Sequence, residues 1–202
     1  MFKNPLLLIA LALTGLVAGW GIVDNAGLTV FAKTVTRVMF TSRGWFVMLS
    51  ASTLLLLCIW LAFSRYGQIK LGRDDDEPEF STVSWLTMLF AAGMGVGLLF
   101  WGAAEPLSHF KMIRNYANPY QSAGRALFVT NFHWGLHAWA IYAITGLVIA
   151  YFSFRRNQPT LVSAPMQAVF GKRTWTRSVG WLSDLLAIYA IAIGIGGSIA
   201  MG

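Results

Sequence analysis

The sequence predicts an all-α protein that crosses a membrane several times, and three observations carry that prediction. Of its 202 residues 56% are hydrophobic and only 11% charged, with a mean hydropathy of +0.60, which does not describe a soluble domain of this length. Apolar runs of about 20 residues, the length needed to cross a bilayer core, recur at Pro5–Val23, Gly44–Ser64, Trp85–Ala104, Ala126–Phe154 and Trp181–Gly202. The third of these runs is interrupted by Gly93, Gly95 and Gly97, and a helix in lipid keeps irregular backbone only where it is buried in protein or lines a polar cavity.

The first run follows Lys3, the charged start that a signal peptide would also have, but it is long and no small-x-small cleavage site follows cleanly. It reads as a span. In the second run, Cys58 is the only cysteine and stands among leucines, so it has no pairing partner within the chain and reads as a small apolar side chain. The connector RYGQIKLGRDDDEPEFSTVSW passes from a basic half to Asp74, Asp75, Asp76, Glu77 and Glu79. A carboxylate run without glycine-spaced ligand geometry reads as a solvated loop in preference to a metal site. Pro78 and Ser81 or Ser84 then mark the start of the next helix, with the acids near its positive end.

In the third run, glycines at alternate positions weaken the helix by roughly 1 kcal/mol each relative to alanine and permit local unwinding, a segment able to hold a cation on its carbonyls. Gly93 and Gly97 also form a small-xxx-small pair suited to close helix packing; the glycines alone leave both readings open. The fourth run, treated as one helix at about 100° per residue, gathers aromatic residues on one arc. With Trp134 at zero, Trp139 and Tyr142 fall at roughly 140° and 80°, Gly135 and Ala138 at roughly 100° and 40°, and Asn131 and Thr145 at about 60° and 20°. His133 and His137 project to roughly 260° and 300°, off that face. Indole and phenol rings separated by small residues can wall a recess for a cation that lacks hydrogen-bond donors, such as a trimethylammonium group. An interfacial aromatic belt is the alternative, and it suits Trp101 and Trp181 near span ends better than Trp139 and Tyr142. Two histidines four apart on one helix lack further ligands for a metal or haem.

Counting cations on alternate sides, Lys3, Arg65, Lys70, Arg73, Arg155, Arg156, Lys172, Arg173 and Arg177 face Lys33, Arg37, Arg43, Lys111, Arg114 and Arg125, which favours a cytoplasmic N-terminus. The formal net charge of +7 then reflects this bias and anionic headgroups rather than nucleic acid.

The motifs GRDDDEPEFSTVSW, AAGMGVGLLFWGAAEPLSHF and FHWGLHAWAIYAITGLVIAYFSFR resemble the betaine/carnitine/choline transporter family. The resemblance covers the chain from about Arg65 onward, and the two earlier spans agree in number and placement with the family's peripheral first helices. It implies a secondary transporter of the five-plus-five inverted-repeat fold in the cell membrane. On that pattern 1–64 holds two peripheral helices, 65–84 a cytoplasmic connector, and 85–202 the first three helices of the first core repeat, truncated. By resemblance Gly93, Gly95 and Gly97 line the substrate passage, the carbonyls of Ala91 and Met94 help hold a sodium ion, and Trp134, Trp139 and Tyr142 form the ammonium cage. Sodium coupling is expected because Gly97 stands where proton-coupled choline carriers of the family tend to have an aspartate. Glu105, followed by Pro106, reads as a helix-end or gating residue in preference to a proton relay, and Asp184 as a residue satisfying a helix N-terminus.

The resemblance further implies homo-oligomers, trimers in the family, and a substrate such as glycine betaine, with no other cofactor. Family members are more than twice this length, so a second half carrying another cage tryptophan, further sodium ligands and the opposing bundle is also expected. A truncated or split membrane fragment without transport of its own is the alternative function. An enzyme is not expected, because no nucleophile, base and orienting group share a face.

Overall fold

The computed structural model describes residues 5–93, 95–114 and 118–201. The described residues form helices α1 (Pro5–Val23), α2 (Asn25–Phe63), α3 (Thr82–Gly93), α4 (Val96–Ile113), α5 (Pro119–His133), α6 (Leu136–Ala150), α7 (Ala164–Phe170) and α8 (Thr174–Met201). The all-α expectation therefore holds. Pro5–Val23, Asn25–Phe63, Pro119–Arg155 and Thr174–Ala200 are long and apolar enough to cross a membrane. Two compact units arise, one from Met1–Thr53 with Thr145–Gly196, the other from Leu54–Ile144 with Gly197–Gly202.

In the first unit α1 has the boundaries expected from sequence, but the second span starts far earlier than Gly44. Asp24 is the reason: its Oδ1 accepts a hydrogen bond from the Gly27 N–H at 2.8 Å, capping the orphan donors of a helix that starts at Asn25. Lys33, Arg37 and Arg43, counted as loop cations, thus lie on α2. At 1.5 Å per residue its 39 residues extend about 58 Å, longer than a bilayer core. The Trp20 and Phe31 rings meet at 5.3 Å across the turn.

Later in the same unit, α6 closes through a wide π turn at Tyr151–Arg155, and α7 begins with Ser163 as its cap residue. Asp184 on α8 supplies what the Ser163 side chain does not: its two carboxylate oxygens accept from the Ser163 N–H at 2.9 Å and the Ser163 hydroxyl at 2.7 Å. The negative charge also sits at the positive end of α7. Asp184 thus serves a helix N-terminus, as its sequence context suggested, and the helix is α7 rather than its own. The approach is close enough that a Cβ on Gly180 would stand 2.9 Å from the Ser163 Cβ. Asp184→Ala is expected to cost about 0.5–2 kcal/mol, the range for a lost helix cap, read as faster amide exchange over 163–170; unchanged exchange there would remove this role.

In the second unit, Ser64 caps a single 3-10 turn at Arg65–Gln68. In the exposed connector that follows, Lys70 Nζ donates to the Asp74 carbonyl at 2.8 Å and Asp76 Oδ2 accepts from the Arg73 N–H at 2.7 Å. Ser81 Oγ accepts from the Ser84 N–H at 3.2 Å and starts α3, one of the two serines named for that task. Cys58 Sγ lies 3.6 Å from the Ala140 carbonyl.

The run read as the third span is divided into α3 and α4. Gly95 alone of the three glycines stands outside helix, with φ −70° and ψ 176° as the cap residue of α4; Gly93 ends α3 and Gly97 is already inside α4. Helix α4 continues past the expected limit at Ala104 and ends only at Ile113, so Pro106 is internal to it. Glu105 is accordingly a mid-helix residue and not a helix-end one. Asn118 caps α5, accepting from the Gln121 N–H at 2.9 Å with Pro119 in the first turn. Helices α4 and α5 pack together. Ser122, Ala126 and Thr130 are buried at four-residue spacing on α5, the row of small side chains that lets two membrane helices approach.

Candidate functional site

The fourth span is not one helix. After α5 ends at His133, Trp134 adopts φ −87° and ψ 1°, and α6 resumes at Leu136. A Cβ on Gly135 would lie 2.6 Å from the Asn131 carbonyl oxygen, a backbone contact that only glycine allows. The angles read from a continuous helix fail at this break, and with them the separation of His133 from the aromatic face.

A cavity of about 940 Å³ opens at the break. Trp134, Trp139 and Tyr142, the three aromatic residues named from sequence, all line it, together with His133 and Ala138. The Trp139 and Tyr142 rings lie 5.8 Å apart at 48°, and the Trp139 indole N–H donates to the Trp134 carbonyl at 3.0 Å, fastening the first turn of α6 to the break. The rings leave one side of the cavity open, Trp139 being 47% and Tyr142 71% exposed.

Helix α4 supplies the opposite wall. Trp101, Glu105 and His109 follow one another at four-residue spacing and all line the cavity, as residues on one helical stripe should. Glu105 is buried, 8% exposed, and accepts from three side chains. Its Oε2 takes the Trp134 indole N–H at 2.6 Å, and its Oε1 lies 2.7 Å from His133 Nδ1 and 3.2 Å from His109 Nε2. A carboxylate taken from water demands such donors. This network is the principal feature that the sequence reading missed. The signal available was the alternation of His133 and Trp134 with the break-prone Gly135, opposite the one acid in a long apolar stretch.

Among the described residues, Leu89, Trp101, Glu105, Ser108 and His109 of α3 and α4 line the cavity, while Ala91, Gly95 and Gly97 do not. The Gly95 carbonyl accepts from the Leu98 and Leu99 N–H groups at 3.0 and 3.3 Å, so it belongs to the first turn of α4. Ala91 lies in the last turn of α3, where carbonyls run out of helical donors; Met94, named with it as a sodium ligand, lies outside the described residues.

A model of the betaine/carnitine/choline family transporters matches residues 5–202. The chain belongs to this family. As a member of the betaine/carnitine/choline family it is 40% identical to the glycine betaine transporter OpuD of Bacillus subtilis, over 96% of this chain and 38% of that protein. It is 37% identical to a probable glycine betaine transporter of Desulfitobacterium hafniense, over 99% of this chain and 40% of that one. It is 40% identical to the betaine/ectoine transporter LcoP of Corynebacterium glutamicum, over 90% and 29% of the two chains. The chain thus spans about two fifths or less of the length of these curated relatives. Membership makes it part of a multi-pass membrane transporter family, and the long apolar helices agree with that.

Proposed function

We propose that this chain carries the aromatic cage of a secondary transporter for zwitterionic quaternary amines of the glycine betaine type. The observation that carries the reading is the convergence of Trp134, Trp139 and Tyr142 on one cavity at a helix break. Ring faces attract a methylated ammonium that cannot donate hydrogen bonds, at about 0.5–2 kcal/mol per contact according to desolvation, and irregular backbone beside a cavity suits a membrane binding site.

Transport is driven by sodium entry through alternating access, with the Ala91 and Met94 carbonyls among the ion's ligands. The absence of a titratable side chain in Ala91–Gly97 supports a metal cation over a proton there. The N-terminus is cytoplasmic, the membrane is the cell membrane, and the working assembly is homo-oligomeric. Because OpuD is matched over only 38% of its length, a second reading is that transport needs further polypeptide carrying the other repeat, and that this chain transports nothing by itself.

Uptake of labelled glycine betaine by proteoliposomes tests both. Vesicles containing this chain are compared with vesicles that also contain the C-terminal remainder of a close relative, each under an inward sodium gradient and under an inward proton gradient. Sodium-stimulated uptake with this chain alone supports the first reading; uptake only with the remainder supports the second. Stimulation by protons in place of sodium would overturn the coupling assignment.

A further inference from the structure

The polar core of the cavity has a role that the cage reading leaves unexplained. Trp134 sits at the break between α5 and α6 with φ −87° and ψ 1°, so no regular helix fixes where its indole points. What fixes it is Glu105, which receives the indole N–H at 2.6 Å from the neighbouring helix α4. Glu105 is itself held: His133 Nδ1 at 2.7 Å and His109 Nε2 at 3.2 Å converge on its other oxygen, and the helix carrying it packs on α5.

We propose that Glu105 is a positioning residue for the Trp134 indole, aiming that ring face into the cavity and thereby setting how tightly a quaternary ammonium is held; the affinity part rests on the cage reading. A role as counter-ion to the bound cation fits the geometry less well, since both carboxylate oxygens are already engaged, one by the Trp134 indole N–H and the other by ring nitrogens of His133 and His109. A carboxylate used in this way also has a conservative replacement. Glutamine offers a carbonyl oxygen to the indole and an NH₂ to the imidazole without the charge.

The chain, labelled with ¹⁵N at its tryptophan indoles and held in lipid nanodiscs, provides the test. The Trp134 resonance is identified by its loss in Trp134→Phe. In Glu105→Ala that resonance is expected to leave its hydrogen-bonded, downfield position, and in Glu105→Gln to stay near it. Glu105→Met fills the site without an acceptor and gives the same reading if the alanine variant does not assemble. An unmoved resonance in both acceptor-free variants overturns the proposal.

Titration with tetramethylammonium on the same samples carries the second part. Glu105→Ala should weaken binding about tenfold and Glu105→Gln no more than about threefold, while in the Trp134→Phe background Glu105→Ala should add less than about twofold, since the coupled partner is gone. Equal losses for alanine and glutamine, or full losses in the phenylalanine background, would make Glu105 a counter-ion and overturn positioning. If the resonance moves as expected yet the unmodified chain shows no response to tetramethylammonium, the cage reading fails and the positioning of the indole stands.

Discussion

Trp139→Leu is expected to weaken binding of a quaternary ammonium by roughly 5- to 30-fold, equivalent to about 1–2 kcal/mol for the loss of one desolvated ring contact. The residue stands on the first turn of α6, lines the cavity and makes a tilted ring contact with Tyr142 at 5.8 Å. Leucine keeps much of the apolar volume but has no negative ring face, so the loss isolates the cation–ring attraction from simple burial. The indole also donates to the Trp134 carbonyl at 3.0 Å, and Trp139→Phe separates the two contributions because it keeps a ring face and drops the donor. Phenylalanine should retain most of the affinity if the ring matters, and should resemble leucine if the hydrogen bond does. An uncharged isostere in which carbon replaces the ammonium nitrogen should bind both forms of the protein alike. Unchanged affinity in Trp139→Leu would remove the cage from the mechanism, whatever Glu105 does for Trp134.

Much of this architecture was legible because membrane solvation makes single features decisive. Apolar length placed α1 to the residue at Pro5–Val23, and the glycine triplet located the α3/α4 break, since a helix in lipid tolerates interruption only for a reason. Capping chemistry was the weaker guide. Asp24 begins α2 some 19 residues ahead of the apolar run taken as its span, because the helix extends through Lys33, Arg37 and Arg43, whose charges removed those turns from any hydropathy count. Trp134, Trp139 and Tyr142 were identified by type and approximate face, whereas Trp101, read as a belt residue near a span end, lines the same cavity from α4; the angular argument also assumed a continuous helix. Gly135 breaks it, and a shift of register there moves His133 from the far side to a place beside Trp134 at Glu105. Glu105 was seen as an acid near a proline and so placed at a helix end. In the fold Pro106 lies within α4, where proline removes one backbone donor without ending the helix. Such partners across different helices leave no periodic trace in one sequence.

Gly135→Val should have the largest structural effect of any single substitution at the site, and the reason is a backbone contact. The first added carbon would lie 2.6 Å from the Asn131 carbonyl oxygen, below the separation that real Cβ atoms tolerate. No flexible side chain can yield there, so α5 and α6 must shift relative to the break, at a cost of about 1–3 kcal/mol for overpacking or strain. The shift would act on function through three bonds that meet within a few residues. The Trp134 N–H donates to the Thr130 carbonyl at 3.0 Å, the Trp139 N–H to the Gly135 carbonyl at 3.3 Å, and the Trp139 indole to the Trp134 carbonyl. Displacing Gly135 disturbs all of them, so tetramethylammonium binding should fall by more than tenfold along with a lower unfolding temperature. Gly146→Ala in the same helix is the control. A Cβ there meets nothing within 4 Å, and replacing an unneeded helical glycine should raise stability by up to about 1 kcal/mol with binding unchanged. If Gly135→Val and Gly146→Ala behaved alike in both measurements, the close approach at the break would not be what shapes the cavity.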